Sequence, residues 1–310
     1  MGSAALGRPA RPGRAGARAL PGALLFALGA IALWSTNALA GSATLDRLPV
    51  GIVVLVQCGT AAAALGAARW IVRRRDGPFP ALGRADRRFV LALGGVGFGG
   101  TLVLQYVAFA HAPIVEANII AYGWPMFAAV WLAFTGLDRR SAAGLGFACI
   151  GFAGVATIVL GGGDGLSGGG SALGYAAALG SGVCMAFYSV GAGRARVPAL
   201  DAMLCGAVAG ALAGAALAVG EGVSWTPTAD WLGAVYLGLG PCAAGYAAWS
   251  VGMARSGGSL APIGYATPLV STAVLLVAGR EVSGTSAAVG GALVLVCIVG
   301  VVASARGESA

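Results

Sequence analysis

The chain has 310 residues, of which 58% are hydrophobic and only 10% are charged, and its formal net charge at pH 7 is +8. An ordinary globular protein carries roughly 25% charged residues, so two soluble domains of this combined length would lack the charged surface that they need. All 19 basic residues are arginine, and the absence of lysine excludes P-loop and Schiff-base chemistry. The composition predicts a protein embedded in a lipid bilayer.

Uncharged stretches of about 20 residues, long enough to cross a bilayer as helices, occur ten times along the chain. In order, spans 1 to 10 lie near residues 20–41, 48–68, 89–110, 117–137, 141–163, 170–193, 202–220, 231–254, 256–279 and 284–304. The predicted fold class is therefore an all-α polytopic membrane protein with ten transmembrane helices.

The arginines are distributed unevenly between the two sides that these spans define. Seventeen lie on the side of the N terminus, and only Arg47 and Arg280 lie on the other. Because cytoplasmic loops collect arginine, we expect both termini to be cytoplasmic. This distribution explains the basic charge without nucleic acid, whose binding favours basic residues clustered with aromatic ones.

The start of the chain also resembles a secretory signal peptide. Arginines precede an apolar run that ends at Ala38-Leu39-Ala40, a small-residue pattern typical of cleavage sites. The polar residues of the segment 34–37 interrupt that run, and removal of span 1 would leave an incomplete repeat. We therefore expect span 1 to be retained, with cleavage as the alternative.

Two halves of the chain resemble each other. A Tyr-x-x-Pro element begins at Tyr122 in span 4 and again at Tyr265 in span 9, nearly half the chain later, and the same separation relates Tyr106 to Trp249. Five helices per repeat is an odd number, so the second copy must enter the membrane from the opposite side. Such inverted repeats place the substrate of a transporter near the bilayer midplane, between the halves.

The repeat predicts the domain organisation. A cytoplasmic Arg-rich tail covers residues 1–19, and a first five-helix repeat covers 20–163. A Gly-rich extracytoplasmic linker at 164–170 leads to a second repeat at 171–305 and a cytoplasmic tail at 306–310.

Glycines spaced four residues apart occur in two spans. Gly206, Gly210 and Gly214 form one such series in span 7, and Gly95 and Gly99 form another in span 3. This spacing favours close helix packing.

Catalytic and metal-binding patterns are missing. The sequence contains one histidine and no HExxH, GxSxG, CxxC or paired-carboxylate motif. We therefore predict no catalytic residue, no metal and no cofactor. A membrane-embedded lipid-modifying enzyme, the alternative from another class, would need a clustered acid, base or metal.

Aromatic and small polar residues within the spans are the candidates for a binding site. Trp34 lies sixteen residues beyond Arg18, which is about 24 Å along a helix. A buried ring with a polar group suits an aromatic or amphiphilic ligand, whereas an interfacial belt or helix packing is the alternative role. The candidate substrate-binding residues are Trp34, Asn37, Tyr106, Tyr122, Trp124, Tyr188, Tyr246, Trp249 and Tyr265.

Two prolines and two titratable residues are further candidates. Pro125 and Pro268 each remove a helical hydrogen bond and predict matching kinks, which would serve gating or act as static bends. Glu116, with His111 five residues earlier, could couple export to proton movement, or could simply lie at a solvated helix end.

Several of these motifs resemble a known family. Leu33-Trp34-Ser35-Thr36, Glu116 leading to Tyr122-Gly123-Trp124-Pro125, the segment 245–252, and the stretch from Tyr265 to Thr272 resemble the drug/metabolite transporter superfamily of the EamA type. Within it they are most similar to the bacterial aromatic amino-acid exporters of the YddG type. Span 2 and the 73–88 loop match no motif of that family.

The resemblance implies a fold and a function. It implies two inverted five-helix repeats around a central cavity, with Trp34, Tyr122, Trp124, Tyr246, Trp249 and Tyr265 in the cavity. It also implies export of aromatic or other neutral amino acids across the bacterial inner membrane by alternating access. We expect the transporter to be a monomer or a weak homodimer. Export of another small metabolite or a drug-like compound is the alternative within the superfamily.

Overall fold

The described part of the chain is helical. A computed structural model describes residues 20–77, 83–134, 141–160, 170–194, 197–222, 230–256, 260–267, 270 and 284–306. Within these ranges every regular element is a helix, which confirms the all-α class.

The N-terminal half of the chain contains seven described helices. They are α1 (Leu20–Ser35), α2 (Asn37–Leu45), α3 (Val50–Asp76), α4 (Arg84–His111), α5 (Ile114–Ala121), α6 (Trp124–Phe134) and α7 (Ser141–Leu160).

The C-terminal half contains four more described α-helices and one 3-10 turn. They are α8 (Ala172–Arg194), α9 (Ala199–Gly220), α10 (residues 231–256), the 3-10 turn Ala261–Tyr265 and α11 (Gly284–Arg306).

Several of these helices are suited to a bilayer. Among the described residues, five helical stretches are long and apolar enough to cross a membrane: Pro21–Leu45, Val50–Asp76, Arg84–His111, Ala172–Ala192 and Ala199–Gly220. Their length and composition, together with the low charge of the chain, make this a polytopic membrane protein.

Two of the predicted spans are interrupted rather than continuous. Span 1 breaks at Thr36, between α1 and α2, and span 4 breaks at Tyr122 and Gly123, between α5 and α6. Pro125 therefore lies in the first turn of α6, where the missing N–H has no helical partner to lose. The expected kink is replaced by a break two residues earlier, and Pro268 lies outside the described residues.

Two π-helical stretches, which the sequence did not predict, occur in spans that the predicted repeat makes counterparts. Leu91–Gly99 lies within α4, in span 3, and Gly238–Gly245 lies within α10, in the equivalent span 8. The second stretch contains Pro241, which cannot donate a helical hydrogen bond. Such wide turns leave backbone groups without regular partners and frequently occur at functional sites.

Glycine allows the central helices to approach closely. A Cβ atom on Gly206 would collide with the backbone of α4 at Gly94, and one on Gly210 would lie 2.7 Å from Sγ of Cys58 on α3. The glycine series of α9 therefore packs between α3 and α4, as predicted. On α4 the assignment of Gly95 to this contact was wrong: it has open space beside it, because Gly94 and Gly99 occupy the contacting face.

The helices form a large central core and a smaller one beside it. The central core joins α1, α3, α4, α8, α9 and α10. The smaller core includes Ala148 and Val155 of α7, Val294 and Cys297 of α11, and Tyr265. This second core holds α7 and α11 together around Tyr265.

Candidate functional site

A cavity lies between α1, α2, α3, α4, α5, α6, α8, α10 and the segment that follows the 3-10 turn. Its volume is about 70 Å³, roughly the liquid volume of two water molecules and well below the several hundred Å³ of a typical ligand pocket. In this structure the cavity is therefore smaller than a typical site for an organic ligand.

The lining combines aromatic rings with uncharged polar groups. The aromatic members are Trp34, Tyr122, Trp124 and Tyr246. The polar members are Asn37, Gln57, Thr101, Gln105, Asn118, Ser181 and Thr267. No acidic or basic side chain among the described residues lines this cavity.

Five of the nine predicted substrate-binding residues come together at this cavity, and four do not. The residues at the wall are Trp34, Asn37, Tyr122, Trp124 and Tyr246. The residues buried behind it or elsewhere are Tyr106, Tyr188, Trp249 and Tyr265.

Trp34 is held in place by the second π-helical stretch. Its Nε1–H donates to the backbone oxygen of Pro241 at 3.0 Å. Its ring meets Tyr246 edge to face, with 5.0 Å between centroids, and lies 5.1 Å from the ring of Trp249. The break in span 1 directs Trp34 to this position, and the irregular backbone of α10 provides the acceptor.

The indole ring of Trp124 packs against Gly264, in the second half of the chain. A Cβ atom on Gly264 would overlap its indole ring, so only glycine permits this contact. The ring also stands perpendicular to Trp249, at a centroid distance of 5.4 Å. Trp249 itself is fully buried, and its Nε1–H donates to Oγ of Ser189 at 3.1 Å.

A buried layer behind the wall supports Tyr246. The Tyr188 hydroxyl lies 2.7 Å from Oγ of Ser250, and its ring lies 5.6 Å from that of Tyr246. Phe98, from the first π-helical stretch, contacts Tyr246 edge to face at 4.6 Å. Tyr188 and Trp249 therefore position the wall residues without lining the cavity themselves.

Sequence reasoning missed several polar lining residues. Gln57 and Gln105 each lie in the middle of an apolar span, and this alone is a signal that could have singled them out. Thr101 and Ser181 gave no such signal, because hydroxyls in membrane helices commonly bond to their own or a neighbouring backbone. Oγ of Ser181 donates to the Thr101 carbonyl at 2.9 Å, which joins α8 to α4.

Of the residues considered for proton coupling and gating, those that the structure describes with their side chains do not line the cavity. His111 is exposed at the end of α4, with Nδ1 2.9 Å from the Val107 carbonyl oxygen, and it does not line the cavity. Glu116 belongs to α5, but its side chain lies outside the described part of the structure. Pro125 is buried at the start of α6.

The described residues contain no cluster of His, Cys, Asp or Glu suited to a metal ion. An uncharged cavity between membrane helices, with rings that can stack and groups that can hydrogen-bond, can bind a small amphiphilic molecule. Together these features define a membrane transport protein.

Comparison with known proteins agrees with this class. Residues 21–160 match the EamA-like transporter family. A protein named "Aromatic amino acid exporter YddG", from Ancylobacter novellus, is 35% identical over 289 residues, which cover 89% of this chain and 93% of that protein. The chain belongs to the EamA-like transporter family. A protein of known crystal structure superimposes with a TM-score of 0.72 and 30% identity, covering 93% of this chain and 99% of that one.

Proposed function

We propose that this protein is a secondary transporter that exports aromatic and other neutral amino acids across the bacterial inner membrane. The observation that carries the proposal is the cavity, which has four aromatic rings and no acidic or basic side chain among its described lining residues. The relative named as an aromatic amino acid exporter supports the same substrate class.

The aromatic wall favours a ring-bearing substrate. Trp34 and Tyr246 already meet edge to face, and Trp124 lies close by against Trp249. Aromatic pairs of this kind contribute about 0.5–1.5 kcal/mol beyond the burial of their area. A substrate ring inserted between these side chains gains the same contacts.

The uncharged lining favours a substrate with no net charge. Moving an unpaired ion into a low-dielectric site costs several kcal/mol in a real protein. A zwitterionic amino acid has no net charge, and uncharged amides and hydroxyls can bind both of its ends. Arginine, lysine, aspartate and glutamate each carry a net charge that nothing in the described lining compensates.

Contacts on the arginine-rich side support ten crossings with both termini in the cytoplasm. Arg69, after span 2, pairs with Asp201 at the start of span 7. Arg255, after span 8, lies over the ring of Phe26 near the start of span 1, at 4.7 Å. Each contact joins helix ends that the arginine distribution assigns to the cytoplasm.

Contacts on the opposite side support the same topology. Arg47, after span 1, pairs with Asp230 before span 8 at 3.0 Å. The Gly51 N–H, at the start of span 2, donates to the carboxylate of Glu221 after span 7, with 3.0 Å to Oε2. An odd number of crossings between any of these pairs would separate the partners by the thickness of the bilayer.

The pattern of helix packing supports two inverted repeats at 20–163 and 171–305. In the predicted repeats each span has a counterpart five spans later. The contact of spans 2 and 8 (α3·α10) then corresponds to that of spans 7 and 3 (α9·α4), and the contact of spans 1 and 8 (α1·α10) corresponds to that of spans 6 and 3 (α8·α4). The contacts of spans 2 and 7 (α3·α9) and of spans 5 and 10 (α7·α11) each correspond to themselves. The two π-helical stretches, in spans 3 and 8, obey the same relation.

Alternating access follows from this arrangement. Two similar halves that meet at the cavity can rock against each other and open it to one side at a time. The small volume of the cavity fits a state in which the halves are close together.

Uptake into proteoliposomes tests the substrate class. We expect the purified protein to exchange radiolabelled phenylalanine and tryptophan, and to a lesser extent threonine and methionine, while arginine and glutamate do not compete. Trp34→Ala should reduce exchange, whereas Trp70→Ala should not, because Trp70 is 54% exposed and lies outside the cavity. Failure of every amino acid to exchange or compete would favour a different small metabolite or a drug-like substrate.

A further inference from the structure

Two side-chain oxygen atoms at the cavity, one from Gln57 and one from Thr267, lack hydrogen-bond partners among the described residues. Gln57 is 2% exposed and Thr267 is 3% exposed, and both line the cavity. Among the described residues, neither Oε1 of Gln57 nor Oγ1 of Thr267 has a hydrogen-bond partner. Buried polar atoms of native proteins are nearly always paired, so each exception calls for an explanation.

Neighbouring hydroxyls in the same cavity are satisfied. Oγ1 of Thr101 donates to the Gly97 carbonyl at 2.6 Å, and Oγ of Ser181 donates to the Thr101 carbonyl at 2.9 Å. Among the described residues, the hydroxyls of Tyr106 and Tyr265 are the other buried polar side-chain atoms without a partner, and neither of these tyrosines lines the cavity.

Backbone contacts hold both residues in position, while Oε1 of Gln57 and Oγ1 of Thr267 have no hydrogen-bond partner among the described residues. The backbone of Gln57 lies so close to Gly238, in the π-helical stretch of α10, that a Cβ atom there would collide with it. The Thr267 carbonyl accepts a hydrogen bond from Oγ of Ser35 at 3.0 Å, beside the break in span 1. Close packing and a backbone hydrogen bond thus position the two side chains at the cavity.

The chemistry of the free atoms indicates what they bind. The amide oxygen of glutamine only accepts hydrogen bonds, and a threonine hydroxyl also accepts them. An ammonium group has three N–H donors and no acceptor. No carboxylate among the described residues lines the cavity, and these uncharged oxygens are acceptors there that suit the ammonium group of an amino acid.

We propose that Gln57 and Thr267 bind the ammonium group of the substrate and make the transporter selective for compounds with free N–H donors. This inference rests on the proposed function, because it assigns one end of an amino-acid substrate. It places the ammonium group against spans 2 and 9 and leaves the substrate ring to the aromatic wall.

Three phenylalanine-like probes that carry no net charge test the assignment. L-phenylalanine has an ammonium group with N–H donors, and N,N,N-trimethyl-L-phenylalanine keeps the charges without these donors. Methyl 3-phenylpropanoate has neither an ammonium group nor any other N–H donor. Each probe competes with radiolabelled phenylalanine for exchange by the full-length protein in proteoliposomes. We expect the wild type to prefer phenylalanine over the trimethyl compound by about tenfold or more.

Two substitutions then remove the acceptors without removing the side-chain volume. Gln57→Leu and Thr267→Val should each weaken competition by phenylalanine about tenfold, while competition by methyl 3-phenylpropanoate stays within about twofold. The preference for phenylalanine over the trimethyl compound should shrink accordingly. Thr157→Val is a matched control, because Oγ1 of Thr157 bonds to the Ala153 carbonyl in its own helix, α7, outside the cavity.

Thermal unfolding separates a binding role from a structural one. Because removing an unpaired buried oxygen relieves a desolvation penalty, both variants should unfold at or above the wild-type midpoint. Equal weakening of all three probes, or an unchanged preference for phenylalanine over the trimethyl compound, would overturn the assignment while leaving amino-acid export intact. If the wild type exchanges no amino acid and none competes, the proposed function fails as well.

Discussion

Tyr122 and Tyr265 begin equivalent motifs in the two halves of the chain, yet their surroundings differ. Tyr122 is half-buried and lines the cavity, at the break between α5 and α6. Tyr265 is fully buried at the end of the 3-10 turn, where it packs in the core between α7 and α11. A Cβ atom on Gly151 would collide with its ring.

The repeated Tyr-x-x-Pro motif therefore does not give its two tyrosines the same environment. In the inverted arrangement that we propose, two halves that rock around one site do not both adopt the same conformation in a single state. One half then presents its tyrosine to the cavity while the other half packs its tyrosine away. Substitutions in and around the two motifs test how far their surroundings differ.

Replacing the two tyrosines should have opposite consequences. Tyr265→Ala removes a ring from a closed core and should destabilise the protein by about 3–5 kcal/mol. Tyr122→Ala removes a ring from a cavity wall and should reduce amino-acid exchange more than it reduces stability. Unfolding in detergent and exchange in proteoliposomes measure the two effects, and equal losses of stability would mean that the two environments are the same.

Gly151→Ala tests the same core from the side of α7. The new methyl group would meet the Tyr265 ring and would lie 2.8 Å from Sγ of Cys297. Overpacking of this kind costs about 1–3 kcal/mol, so the unfolding midpoint should fall. Gly146→Ala is the matched control on the same helix, because a Cβ atom there meets nothing within 4 Å. Similar midpoints for the two variants would contradict the packing of Tyr265.

Gly264→Ala tests the contact between the first motif and the second. The added methyl group would overlap the indole of Trp124 and push it from its place against Trp249. If the Trp124 ring must contact the substrate in a fixed position, its displacement should lower the exchange rate by about tenfold. Exchange assays and tryptophan fluorescence report the displacement, and wild-type exchange rates would show that Trp124 is free to adjust.

Glu116→Gln addresses a difference in charge between the two halves. Span 4 has Glu116 where the equivalent position of span 9, six residues before the tyrosine of the motif, is Ser259. If proton movement through this carboxylate drives export, the variant should exchange amino acids normally without a pH gradient and lose stimulation by one. Transport with and without an imposed gradient measures this, and unchanged gradient dependence excludes Glu116 as the essential proton carrier.

The aromatic residues illustrate how much of the site could be predicted. Trp34 and Trp124 were recognisable because large rings deep inside apolar spans are unusual away from the membrane interfaces. Tyr188 and Trp249 met the same criterion, but they lie behind the wall and position Tyr246 and Trp34. Helical spacing identifies residues that share a face, but packing decides whether that face meets a cavity or another helix.

Other features left little trace in the sequence. The π-helical stretches contain glycines typical of close packing, and nothing in their spacing indicates a wider turn. In the sequence Thr267 resembles any hydroxyl in an apolar segment, and only the structure shows that its Oγ1 has no partner among the described residues. These properties depend on contacts between residues that are far apart in the chain.

The sequence by itself determined that this is a helical membrane protein, because the scarcity of charge leaves the bilayer as the only suitable surroundings and helices satisfy the backbone there. It also determined the equivalence of the two Tyr-x-x-Pro motifs. Only the tertiary structure decided that Tyr122 borders the cavity and Tyr265 does not. The physical reason is that α7 and α11 enclose one tyrosine, whereas the helix break at Tyr122 and Gly123 leaves the other beside the cavity.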